Sequence, residues 1–140
     1  MDNKIKHLEM IQAVIQRMAN NSFQLKGWAV TLVGVIGALS TAQDNKRFFI
    51  LAFIPIFAFW GLDSFYLQLE RKFTVLYKTV VNKREEDVNF DMDLRTIIVS
   101  DVDKKRLSFW NCVFSKSELW FYGPVTIAIL VLAYFLIKHI

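Results

Sequence analysis

The side chains of this chain that could do chemistry fall into two groups, and neither has the spacing of a catalytic centre. Asp63 and Lys26 are ionisable residues at the margins of long apolar runs, where charge is expensive and marks either a function or a structural pair. Both readings stay open: an ion pair at a membrane interface, or an ion path in which Asp63 recurs as a ring of carboxylates in an oligomer. The second group is Arg95, Lys104, Lys105 and Arg106, followed closely by Phe109 and Trp110. Cations beside aromatic faces suit an anionic lipid surface, which is the simpler reading. The same features suit a nucleotide or single-stranded nucleic acid, with phosphates on the cations and a base stacked on Phe109 or Trp110.

Other constellations are missing. His7 lies near one end of the chain and His139 at the other, on opposite sides of the membrane in the topology below. Sets of Ser, His and Asp, His–Glu metal motifs and Gly-rich phosphate loops are absent, so the chain reads as non-enzymatic and without a cofactor. Asp87, Asp91 and Asp93 lack the Gly and the terminal Glu of a calcium-binding loop, which argues against a metal. The single Cys112 excludes an intrachain disulfide and reads as a small apolar residue.

The elements that must position these groups are apolar helices. Hydrophobic residues make up 54% of the 140 residues and thirteen are Phe, too many for a small soluble core. They concentrate in runs over residues 27–42, 48–62 and 119–137. A spanning helix needs about 20 apolar residues; the last run qualifies, and the first two do when extended to Phe23 and Tyr66. The expected fold is an all-α membrane protein with transmembrane helices at 23–42, 47–66 and 118–140. The N-terminal stretch alternates charged and apolar residues, so no cleaved signal peptide is expected. Lys4, Lys6, Arg17 and Lys26 precede the first span and ten more basic residues, Arg71 to Lys116, separate the second from the third. By the positive-inside rule the N-terminus and this middle segment are cytoplasmic and the C-terminus is outside.

Helical periodicity continues beyond the spans. Ile5, Leu8, Ile11, Ile15 and Met18 form one stripe, and Leu62, Phe65, Tyr66, Leu69, Phe73, Leu76, Tyr77 and Val80 another. Asn20, Asn21 and Ser22 could mark a bend between the first stripe and its span. With a turn at residues 40–46, the two helices form a long cytoplasmic antiparallel hairpin over residues 1–84. Pairing symmetrically about that turn sets Trp28 level with Trp60, Glu9 near Lys78, Arg17 near Glu70 and Lys26 near Asp63.

Gly27, Thr31, Gly34 and Ala38, with Gly37 adding to them, form a ridge of small residues for close helix approach, within the chain or between subunits. Thr31 joins Asp63 and Lys26 as a candidate pore or gate residue. Pro55 should bend the second helix. Residues 85–117 form a cytoplasmic or interfacial segment in which 94–99 reads as a short strand or a turn of helix. Ser115 and Glu118 make a capping box that starts the third helix near Lys116, with Pro124 close to its first turns.

The run from His7 to Trp28, with Phe59-Trp60-Gly61-Leu62-Asp63, Phe114-Ser115-Lys116 and Phe121-Tyr122-Gly123, resembles a group of small bacterial multi-pass membrane proteins. Some members are similar to transmembrane effectors of anti-phage defence systems of the CBASS or Hailong kind. The resemblance implies a homo-oligomeric ion channel whose cytoplasmic face reads a nucleotide or DNA-oligomer signal made by a partner nucleotidyltransferase. It supplies no site residues, and the chain has no separate ligand-binding domain. The alternative is a non-conducting scaffold that docks a soluble protein on its cytoplasmic helices.

Overall fold

The computed structural model describes residues 2–42, 46–97 and 99–138. The centre of the expected turn, Ile98 and His139 therefore lie outside the described residues. Helix α1 spans Asp2–Ala42 and is followed by a 3₁₀ helix, Lys46–Ala52, and by α2, Phe53–Asn82. Two 3₁₀ turns, Glu85–Asp87 and Leu94–Thr96, precede the short helices α3 (Asp101–Arg106) and α4 (Phe109–Val113), and α5 spans Lys116–Lys138. Among the described residues none forms a strand. The β-branched run is thus entered through a helical turn, held by Asp93, whose carboxylate accepts the Arg95 N–H.

Three helices, Asp2–Ala42, Arg47–Asn82 and Lys116–Lys138, are long and apolar enough to cross a membrane. Their most apolar windows are only 11%, 28% and 17% buried. So much apolar surface requires lipid or further protein around it.

The chain divides into two compact units, Met1–Ser22 with Phe65–Cys112, and Phe23–Ser64 with Val113–Ile140. In the first unit Ile11, Leu76 and Val80 form a buried core, edged by Leu8, Ile15, Phe73 and Tyr77 and covered by Met92, Leu94 and Ile97. These are positions of the two expected stripes, so helical period placed them. Lys4 Nζ donates to the carbonyls of Val81 at 2.7 Å and Lys83 at 2.8 Å, neutralising the carbonyl end of α2 where a cation is favoured. Glu9 and Lys78 are both exposed.

His7 is buried at 1% exposure. Its Nε2–H donates to the Asp91 carbonyl at 3.1 Å, and its ring lies 5.5 Å from that of Phe90. Phe90 has φ of 53°, the left-handed region that costs a residue with a Cβ about 1–2 kcal/mol. The loop keeps this conformation because neighbouring side chains cap its backbone: Asp91 Oδ1 accepts the Asp93 N–H at 2.8 Å and Asp93 Oδ1 the Arg95 N–H at 2.9 Å. Both aspartates therefore have structural work within the loop.

In the second unit the core comprises Ala29, Phe49, Ala52, Ile56, Tyr122, Ile129 and Ala133. Helix α1 continues through Asn20, Asn21 and Ser22; Asn20 Oδ1 accepts Gln16 Nε2 one turn back at 3.3 Å, which keeps its amide on the helix surface. Pro55 is the third residue of α2, just after the chain changes from 3₁₀ to α geometry between Ala52 and Phe53, so the donor it lacks falls beside that change. Pro124 lies well inside α5. The ridge of Gly27, Thr31, Gly34 and Ala38 is exposed. A Cβ added at Gly27 or Gly34 would meet nothing within 4 Å, whereas one at Gly37 would meet the Phe49 ring at 3.4 Å. Close approach within the chain thus uses Gly37.

His7→Ala is expected to lower the stability of the detergent-solubilised protein by about 1–3 kcal/mol, the cost of orphaning a buried polar partner. Amide exchange should accelerate across residues 88–93. Unchanged exchange there would show that His7 does not hold the loop.

Candidate functional site

The second unit gathers three charges from three helices. Helix α1 supplies Lys26, α2 supplies Asp63, and α5 supplies Glu118 and, one turn later on the same face, Tyr122. Lys26 Nζ forms a tight ion pair with Asp63 Oδ2 and lies 3.4 Å from Glu118 Oε1. Asp63 is 0% and Glu118 1% exposed, and the Lys26 side chain 17%. Tyr122, fully buried, donates its hydroxyl to Asp63 Oδ2 at 3.0 Å; the Phe59 carbonyl is a more distant acceptor at 3.4 Å.

Aromatic rings wall the cluster. The Lys26 ammonium lies 5.8 Å from the ring centroids of both Phe121 and Tyr122, within the range of cation–π attraction. Trp60 stacks on Tyr122 at 5.7 Å and 7°, and its indole N–H donates to the Val113 carbonyl at 3.1 Å. Thus α2, α5 and the residues just before α5 are tied around the same charges. The Ser64 hydroxyl donates to Trp60 O, one turn back, at 2.7 Å, and so remains within its own helix.

Two carboxylates face one ammonium, and Glu118 Oε2 is buried with no hydrogen-bond partner among the described residues. Such an arrangement is a poor way to gain stability, because buried ions need excellent geometry and full hydrogen bonding to offset their desolvation. Chemically the cluster offers no nucleophile beside a base. It offers a single lysine shared by two acids, a contact that can be made or broken as one helix shifts.

The structure brings together Asp63 and Lys26, but Thr31 stands apart: its hydroxyl is exposed and donates to Gly27 O at 2.9 Å. Glu118 and Tyr122 were missed by sequence reasoning. Glu118 had been assigned to a capping box, and half of that box forms, with Ser115 Oγ accepting the Glu118 N–H at 3.4 Å. Its side chain turns instead toward Lys26. The i, i+4 spacing of Glu118 and Tyr122 at the polar margin of an apolar helix was the available signal.

The second predicted group lies in the first unit. Arg95 and Lys104 are exposed and pair with Asp93 and Asp101, each at 3.4 Å; such surface pairs contribute only about 0–1 kcal/mol. Lys104, Lys105 and Arg106 form the last turn of α3, opposite Asp101 and Asp103 in its first turn, an order that suits the helix dipole. Phe109 and Trp110 meet edge to face at 5.9 Å, with Trp110 68% exposed. The chain matches no family model, no curated protein and no solved structure.

Neutralising the three charges should have unequal effects. Lys26→Met strands two buried carboxylates and is expected to cost about 3–5 kcal/mol, the scale for breaking a buried pair. Glu118→Gln leaves the Lys26–Asp63 pair intact and should leave stability unchanged or raise it. Denaturation in one detergent ranks the two, and equal effects would contradict the shared-lysine arrangement.

Proposed function

We propose that this chain is a homo-oligomeric membrane channel gated by an anionic ligand at its cytoplasmic face, as an effector of anti-phage defence would be. The observation that carries the reading is the cluster of Lys26, Asp63 and Glu118, which joins three membrane-competent helices through buried charge. A plain anchor has no use for so costly a contact. A gate does, because a contact that is marginal in one state can be exchanged for another when helices move.

In this reading the N-terminus and residues 85–117 are cytoplasmic, and the first two helices form an antiparallel hairpin. Contacts within each unit support that pairing: Lys4 beside Val81 and Lys83 in the first, Lys26 beside Asp63 in the second. The exposed small-residue ridge through Thr31 is the surface on which subunits meet. Lys26 and Asp63 hold the closed state, with Glu118 as third member. Arg95, Lys104, Lys105, Arg106, Phe109 and Trp110 supply the basic and aromatic surface for a nucleotide or single-stranded nucleic acid, the signal a partner nucleotidyltransferase would make. The resemblance of residues 7–28 and 59–63 to bacterial membrane effectors supports the defence setting.

Purified protein in planar bilayers is expected to conduct ions in a ligand-dependent way, and Lys26→Met channels to conduct without ligand. Charge reversal at residues 104–106 should remove the ligand response while leaving insertion intact. A monomer with no conductance under any condition would rule out the channel and leave the scaffold that docks a soluble protein.

A further inference from the structure

The first unit contains a cleft of about 290 Å³ between α2 and the α3 end, lined by Leu67, Glu70, Arg71, Thr74, Val75 and Lys78 and by Asp103, Arg106 and Leu107. Of the predicted ligand residues only Arg106 reaches it; Arg71 and Lys78 join it there from α2. Three cations thus converge on one concavity.

The cations differ in what they already do. Arg71 Nη1 donates to the Arg106 carbonyl at 2.8 Å and Asn111 Oδ1 at 3.1 Å, and lies 3.6 Å from Cys112 Sγ. These contacts occupy one nitrogen of the guanidinium; among the described residues none is made by its Nε or Nη2. A guanidinium fixed at one edge presents its remaining N–H groups in a set direction, the geometry that binds phosphate oxygens two at a time. Lys78 and Arg106 have no ion-pair partner among the described residues. The two acids of the lining are engaged, Asp103 by the Ser100 hydroxyl at 2.9 Å and Glu70 within the fold.

We propose that this cleft binds the phosphate groups of a soluble nucleotide through Arg71, Lys78 and Arg106. Leu67, Val75 and Leu107 give the cleft an apolar wall for a base or sugar face. The carboxylates of Glu70 and Asp103 give acceptors for hydroxyl or amino hydrogens. Bare inorganic phosphate would find those acids repulsive, whereas a nucleotide carries both acceptors and donors. The volume is at the small end for ligand pockets, which favours one nucleotide unit over a stretch of nucleic acid. The assignment rests on the ligand-gated reading above and places that ligand's phosphates.

The test is calorimetric titration of the full chain in nanodiscs of neutral phosphatidylcholine, with ATP and inorganic pyrophosphate as probes. ATP should bind more tightly than pyrophosphate. Lys78→Ala and Arg106→Ala should each weaken ATP binding about tenfold or more, as expected for loss of a charge-assisted hydrogen bond. Arg106→Lys should recover part of the loss. Lys6→Ala, which removes an exposed charge elsewhere on the unit, should bind as wild type does, and circular dichroism checks that each variant keeps its helix content. Equal ATP affinity in all variants, or no binding of either probe at millimolar concentration, overturns the proposal. So does binding only to vesicles containing phosphatidylglycerol without competition from ATP, which would assign the cleft to a lipid headgroup. Conductance is recorded separately: ATP binding that depends on Lys78 and Arg106 in a protein that never conducts upholds the cleft and removes the channel. A ligand response indifferent to both residues does the reverse.

Discussion

A single ammonium between two buried carboxylates is the constraint on which the second unit depends. The three membrane-competent helices bury only 11%, 28% and 17% of their most apolar windows, so apolar packing does little to fix which helix faces which. Polar contacts then matter more in fixing it. Lys26 does this for α1, Asp63 for α2 and Glu118 for α5, while Tyr122 adds a hydroxyl to Asp63 and a stacked ring to Trp60. Because the two acids share one base, the arrangement specifies position more than it stabilises.

The first unit is built on the opposite economy. Ile11, Leu76 and Val80 bury apolar surface in the ordinary way, and polar side chains are used to satisfy backbone groups at the edges. Lys4 closes the end of α2, His7 pins the Asp91 carbonyl, and Asp91 and Asp93 cap successive turns. Several residues that look chemically suggestive in sequence, the histidine and the aspartates among them, are thereby explained by loop architecture. Lys78 and Arg106 have no such role among the described residues, and Arg71 commits only one nitrogen of its guanidinium to one, which singles out their cleft.

The helices were legible in the sequence because a period of three to four residues is visible without knowing what lies opposite. Asp63 and Lys26 were legible as a pair because charges are rare in apolar runs and symmetrical pairing about one turn brought them level. Glu118 was not, because the Ser115 motif gave its carboxylate a complete local role, and only the neighbouring helices reveal that Lys26 competes for it. Pro55 shows a related dependence on context: it stands third in α2, and where α2 begins depends on the 3₁₀ segment directly ahead of it. Of the three glycines in the ridge region only Gly37 faces a side chain within the chain, the Phe49 ring, a distinction that spacing cannot make.

Helix α2 carries a residue of each candidate site, Asp63 in the charge cluster and Arg71 in the cleft. Spacing along one helix does not by itself create coupling. A ligand shifts an equilibrium only to the extent that it binds the two states unequally, so the cleft can govern a gate only if closing around phosphates changes the position of α2 or of the α3–α4 backbone that Arg71 holds. Arg71 is suited to report such a change, since its Nη1 is committed to the Arg106 carbonyl and Asn111 while the residue lines the cleft. A phosphate drawn to its other nitrogens would pull against the contacts that Nη1 makes.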